Sequence, residues 1–201
     1  MFKTSKEFMM KTLIAAVFAI STMGASYAQT FKVDPAATKI TYLGKKVTGE
    51  HTGNLTVKNG NLVVANDVLT GGEVVVDMNT LTSTDITDKD YNAKYVGHMK
   101  SPDFFDTAKY HESKLTIKSS KKTDKGLEVK GDLTMVGQTK PVTFTVTDWK
   151  KTDSEVKGKS TLTLNRTQWG LKYGSASFFK SIGDKAINDD FTLTVDLTAK
   201  K

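Results

Sequence analysis

The chain has 201 residues, of which 38% are apolar, 25% charged and 9% aromatic, enough for one buried core and unlike a disordered or low-complexity chain. It contains no cysteine, which excludes a disulfide scaffold, a thiolate metal site, a cysteine nucleophile and a lipidated N-terminal cysteine. The 29 basic and 22 acidic side chains leave a net charge of +7, which permits acidic partners without demanding them.

Residues 1–28 read as a secretory signal. Lys3, Lys6 and Lys11 precede the apolar stretch Thr12-Leu-Ile-Ala-Ala-Val-Phe-Ala-Ile20, and small residues lead to Ser26-Tyr27-Ala28. This order predicts cleavage after Ala28 and a mature domain of residues 29–201, periplasmic or secreted. Initiation at Met1, Met9 or Met10 fits the pattern equally. The apolar stretch is roughly half of the ~20 residues that cross a bilayer, so a cleaved signal is favoured over an anchor. No later stretch reaches that length, and the mature form is expected to carry no transmembrane segment.

From Phe31 onward the chain alternates apolar and polar residues, the period of a half-buried strand. Strands are expected over 30–34, 38–46, 51–58, 61–67 and 72–80. Asn59-Gly60 is a hairpin dipeptide, since both residues tolerate positive φ, and a two-residue turn there would pair Val57 with Leu62. A helical insertion then breaks the alternation over about residues 85–106. Tyr91, Tyr95 and Met99 share one helical face, with Asp85 or Asp88 able to cap the start. Ser101-Pro102-Asp103 reads as the start of a second short helix carrying Phe104 and Phe105.

Alternation resumes over 113–120, 126–136, 141–149, 155–166 and 188–199, with hairpins at 124–126 and around Ser154. One face carries Leu115 and Ile117, Leu133 and Met135, Phe144 and Val146, Leu162 and Leu164, then Phe191, Leu193, Val195 and Leu197. Arg166 falls on the same face as Leu164. Threonine recurs on the opposite face, where a β-branched polar residue suits solvated sheet. The expected class is all-β: one antiparallel sheet that stacks as a sandwich or, as favoured here, closes into a barrel and so removes its edges.

The chemistry-bearing residues are sparse. His51, His98 and His111 lack ligand spacing, so no metal site is expected, and no nucleophile elbow, phosphate loop or dinucleotide fingerprint occurs. No catalytic residue and no cofactor follow, and an enzyme is not expected. The lysines are spread, and the pairs Lys121-Lys122 and Lys150-Lys151 fall in turns, so nucleic acid is not an expected partner. Phe104, Phe105, Trp169, Tyr173, Phe178 and Phe179 lie in or beside non-strand segments. They either pack under a lid or line the mouth of a cavity, since a small barrel can enclose one apolar ligand. His98, Lys100 and Arg166 are the candidate polar anchors. An inward arginine must reach water, pair with an acid or meet a head group.

Four segments together resemble the YceI-like family of exported bacterial proteins: Val33-Asp34 with Lys39-Ile-Thr-Tyr42, Gly97-His-Met-Lys-Ser-Pro-Asp-Phe-Phe-Asp106, Gly131-Asp-Leu-Thr-Met-Val-Gly-Gln-Thr-Lys-Pro-Val142, and Asn165-Arg-Thr-Gln-Trp-Gly-Leu171. Ala37-Thr38 and Gln168 depart from its usual residues. The resemblance implies a lipocalin-like, elongated antiparallel β-barrel whose pore holds a long apolar chain: a polyisoprenoid, a quinone-like molecule or a fatty amide or acid. The implied role is transport, storage or sequestration. The pore lining would fall to Leu115, Ile117, Leu133, Met135, Phe144, Val146, Leu162 and Leu164. The head group would sit near His98, Lys100, Phe104, Phe105, Arg166 and Trp169. A homodimer stays open, as do two rival readings: a structural or stress-related barrel filled by its own side chains, and an enzyme acting on a lipid or quinone.

Overall fold

The computed structural model describes residues 27–201, so the signal read on residues 1–28, apart from Tyr27 and Ala28, lies outside the described residues. The strands are β1 (Gln29–Val33), β2 (Lys39–Lys46), β3 (Gly49–Ala65), β4 (Val68–Asp77), β5 (Glu112–Thr123), β6 (Gly126–Met135), β7 (Gln138–Lys151), β8 (Glu155–Asn165) and β9 (Ile187–Lys200). They pair antiparallel in the order β1-β3-β2-β9-β8-β7-β6-β5-β4, and β3 pairs with β4 to close the ring. β1 lies against residues 61–64 of β3 and β2 against residues 49–55 of the same strand, both running the same way. They are therefore two halves of one stave, and the barrel has eight. The interruption between them is a turn in which the Asp34 carboxylate accepts the amides of Ala36 and Ala37 at 3.0 and 3.1 Å.

The alternation in the sequence becomes the two faces of this wall. In β8 it is unbroken: Val156, Gly158, Ser160, Leu162 and Leu164 are buried, and the residues between them are exposed. At the end of the barrel away from the helix, inward residues pack solidly, with Phe31, Leu62, Val64, Val129 and Val156 no more than 1% exposed. Trp149 helps close that end, its Nε1 donating to the Asp67 carbonyl at 3.0 Å.

One expected hairpin is absent. Asn59-Gly60 lies inside β3, opposite Val75 and Val74, at a register shift between Val57 and Asn59. The apolar parity does change there, from Val57 to Leu62 and Val64, but a β-bulge switches parity as well as a two-residue turn does. Gly60 serves a close approach instead. A Cβ at that position would lie 2.7 Å from the Glu73 carbonyl oxygen and 2.9 Å from Val33 Cγ2. The turn between β3 and β4 is Asn66-Asp67, both left-handed at φ 50° and 59°. The turns at 124–125 and 152–154 fall where expected, and Val136-Gly137 adds one between β6 and β7.

The insertion holds one helix, α1 (Lys89–Lys100), capped by the Asp88 carboxylate, which accepts the Tyr91 amide at 2.8 Å. The second helix expected from Ser101 does not form. The Ser101 hydroxyl turns back to donate to the His98 carbonyl at 2.8 Å, and the Phe105 amide bonds the Met99 carbonyl at 3.1 Å. Asp106, at φ 42°, then ends the segment as a tight turn folded onto the end of α1. Ser101 therefore closes one helix rather than opening another.

The bulge makes a direct prediction. Gly60→Ala places a methyl group against backbone in the neighbouring strand and lowers stability by about 2–3 kcal/mol, as over-packing does. Urea unfolding measures this. A midpoint matching the parent protein contradicts the close-approach role.

Candidate functional site: two chambers in the barrel

Several inward side chains are not fully buried, because they face open space rather than one another. Leu115, Leu133, Phe144, Leu193, Val195 and Leu197 are of this kind. They surround an inner chamber of about 140 Å³, walled almost entirely by apolar side chains. Beyond it lies an outer chamber of about 580 Å³ under α1, the β2–β3 turn and the 170–186 segment. Leu193 lines both, so the two chambers stand end to end.

Seven of the eight expected lining residues border the inner chamber: Leu115, Ile117, Leu133, Met135, Phe144, Val146 and Leu162. Leu164 borders neither chamber. It is spent on a separate core cluster with Trp169, Leu171 and Met135. At the mouth, His98, Phe104, Phe105 and Arg166 line the outer chamber. Lys100 and Trp169 do not. The Lys100 ammonium reaches away to donate to the Asn79 carbonyl at 2.7 Å. Trp169 is 1% exposed, with its Nε1 donating to the Leu133 carbonyl at 3.1 Å, so it holds the 166–169 turn against β6.

Arg166 ends the inward row of β8 and is 5% exposed. Its guanidinium donates to the carbonyls of Asn188, Leu171 and Ile187 at 3.0, 2.6 and 3.0 Å, and lies 3.6 Å from Asp189. Of the three fates open to it, pairing with an acid is the observed one. Burial lowers its pKa, and Asp189 works against that shift. Burial alone would raise the Asp189 carboxyl, but the hydroxyls of Ser175 and Ser177 and the Arg166 charge outweigh it and hold the group below its usual range. Three of the five guanidinium N–H donors are thus spent on fixing the 166–171 turn to the start of β9.

His98 packs edge-on against Phe104 and Tyr173, with ring centroids 5.1 and 4.7 Å apart, while its Nε2 lies 3.1 Å from the Asp103 carboxylate. His98, Lys100 and Arg166 therefore each have a different partner, and no hydrogen bond joins them. Among the described residues no group of three or more His, Cys, Asp or Glu side chains is placed to hold a metal ion, and no helix is long and apolar enough to cross a membrane.

The same chamber carries a second polar group that the residue pattern alone does not single out. Tyr42 and His51, from β2 and β3, line the outer chamber with Tyr91 and Tyr95 from α1. His51 Nδ1 lies 2.7 Å from Asp85, and its ring centroid is 4.5 Å from that of Tyr95. The Tyr42 hydroxyl donates to the Thr82 carbonyl at 2.8 Å. Burial raises the pKa of both tyrosines, and Tyr42 rises further through its contact with Tyr95. Burial opposes the Asp85 charge, yet His51, the Thr52 amide and the Ser83 hydroxyl outweigh it and hold the carboxyl below 3.8. Tyr42 shares the inward parity of Ile40, and Tyr95 the helical face read above, so those two were legible; the His51–Asp85 pairing was not.

A carboxyl depressed in the fold stabilises it above the unfolded pKa, and that contribution is lost as pH falls through the folded value. Asp85→Asn should therefore cost about 1–2 kcal/mol at pH 7 and less at pH 3, below the usual carboxylate range. Urea unfolding at the two pH values checks this, and an equal loss at both contradicts an ionised Asp85 holding His51.

Comparison with known proteins agrees with this architecture. A family model described as the YceI-like domain matches residues 31–199. A UPF0312 protein of Vibrio cholerae is 35% identical over 131 residues, covering 64% of this chain and 60% of that protein. The Escherichia coli protein YceI is 43% identical over 72 residues, 36% of this chain and 35% of that one. The chain thus spans about 60% or less of the curated relatives it matches. Among solved structures, Burkholderia cenocepacia BcnA is similar with a TM-score of 0.63 at 19% identity, over 83% of this chain and 99% of that one. A polyisoprenoid binding domain from Saccharophagus degradans gives 0.60 at 13% identity, over 85% and 97%. At such identities these two show the fold alone. The matched residues run from β1 to β9, and the chain belongs to the YceI-like family.

Proposed function

We propose that the barrel holds one amphiphilic lipid, with the end of its apolar chain in the inner chamber and its bulk and head group in the outer one. The observation that carries this reading is the shared Leu193 wall between an apolar chamber and a larger one edged by polar side chains. The inner chamber, at about 140 Å³, is below the ~300 Å³ of ordinary ligand sites, whereas the outer, at about 580 Å³, falls within their range. A tail tip fits the first and most of a ligand the second. Each methylene withdrawn from water adds about 0.8 kcal/mol, so binding needs no catalytic group.

The similarity to a polyisoprenoid binding domain supports a prenyl or comparable chain. Lys45, Lys46, His51 and Tyr95 edge the outer chamber and suit a head group rich in oxygen acceptors, such as a quinone, carboxylate or phosphate. Carriage or storage follows better than chemistry, because the candidate polar anchors His98, Lys100 and Arg166 are engaged separately rather than converged. The barrel's solid far end is the feature that a ligand-free structural role would extend throughout; the outer chamber is what favours a ligand. Export through the leader on residues 1–28 would place this carrier in the cell envelope or outside the cell.

Titration with a fluorescent farnesyl probe tests the reading. The parent protein should bind it saturably, one per chain. Leu193→Trp, which enlarges the side chain shared by the two chambers, should weaken binding at least tenfold with the β-sheet circular dichroism unchanged. Absence of saturable binding, or equal binding by the variant, contradicts the proposal.

A further inference from the structure

Among the described residues the exposed large apolar side chains are Tyr27, Val47, Tyr91, Tyr173, Phe178 and Phe179. All except Tyr27 belong to segments that frame the outer chamber. Tyr91 and Tyr173 line it, Val47 sits in the turn whose Lys45, Lys46 and Thr48 line it, and Phe178 and Phe179 lie between Tyr173 and Lys185, which also line it. The two phenylalanines are 48% and 52% exposed.

Their display is built into the chain. The amides of Phe178 and Phe179 both donate to the carbonyl of Ser175, at 3.1 and 2.9 Å, and Ser175 is fully buried. The Ser177 hydroxyl is tied to Asp189 at 2.5 Å, beside the Arg166 guanidinium. The turn is thus anchored in the core while its aromatic pair points away from it. Positive charge accompanies the pair. Lys172 Nζ sits 4.5 Å from the centre of the Phe178 ring, and Lys180 and Lys185 follow, against Asp184 as the acid of that segment. Beside that segment lie Lys45 and Lys46, the Val47 amide donating to the Ala186 carbonyl at 3.1 Å; Lys45 is 3.5 Å from Glu50. The acids Asp88 and Asp90 stand on the α1 side.

We propose that this rim docks on an anionic lipid bilayer, with Phe178, Phe179 and Val47 entering the interface and the lysines facing its phosphates. Exposed apolar groups bordered by lysine match an interface that is oily below and negative above, and lysines near such a surface add attraction that salt screens. The patch is continuous with the chamber mouth, so docking sets that mouth against the source or destination of a lipid. This role rests on the lipid-holding reading; the docking itself does not require it.

Flotation of the full chain with vesicles of phosphatidylglycerol and phosphatidylethanolamine, against pure phosphatidylcholine, tests the proposal, with farnesyl-probe uptake measured on the same samples. The protein should float with the anionic vesicles and less so at high salt. F178S/F179S should lower partition about tenfold or more, and K172E/K180E by a similar factor on anionic vesicles alone, both with probe uptake unchanged. Residues 1–28 are common to parent and variants, so the difference between them reports the rim. Flotation without probe uptake upholds docking and removes the carrier reading. Probe uptake with no flotation, or flotation indifferent to both variants, overturns docking. So does a parent dimer that F178S/F179S dissociates while no vesicle binding occurs, which would assign the face to a second copy of the chain.

Discussion

Hydrogen bonding between β3 and β4 closes the sheet, and the rest of the molecule depends on that closure. Once eight staves are joined, strand number and tilt set the interior width, and every second residue must occupy it. At one end the chain fills the space with Phe31, Leu62, Val64 and Val156. Toward the other end, leucine, valine and phenylalanine from β9, β5, β6 and β7 do not meet across the axis, and a chamber remains. The cavity is therefore a consequence of side-chain size set against a fixed ring, with no need for a flexible wall.

The open end is finished by chain outside the barrel strands. Arg166 is central there. A buried guanidinium is costly unless it is hydrogen-bonded and paired; three carbonyls accept from it, and the Asp189 carboxylate 3.6 Å away balances its charge. The same bonds tie the 166–171 turn to the start of β9, so the charge positions the mouth rather than marking it for a ligand. Elsewhere on the rim, His51 and Asp85 join β3 to the segment before α1, and Tyr42 anchors Thr82. Polar groups thus gather at the rim because the loops that cross it need fastening. The same groups leave the outer chamber polar at its edge and apolar toward Leu193.

The barrel was legible because alternation is a local signal that strand geometry preserves. β8 shows this best, its inward row running from Val156 to Leu164 and on to Arg166. Signals with two physical solutions are ambiguous. A parity change at Asn59-Gly60 describes a bulge as well as a hairpin, and only pairing with β4 decides between them. Ser101 can cap a helix that follows it or close one that precedes it. The resemblance puts Lys100 and Trp169 near the head group, whereas the direction of each side chain depends on Asn79 and Leu133, far away in the chain. The His51–Asp85 contact, spanning 34 positions, has no local signature at all.

Native mass spectrometry of the protein purified from the cells that make it, under conditions that preserve non-covalent contacts, addresses the central claim most directly. The account predicts a population heavier than the polypeptide by one apolar molecule per chain, returning to the polypeptide mass after organic extraction. A single species at the bare polypeptide mass, in protein that also fails to take up added prenyl lipid, would contradict it.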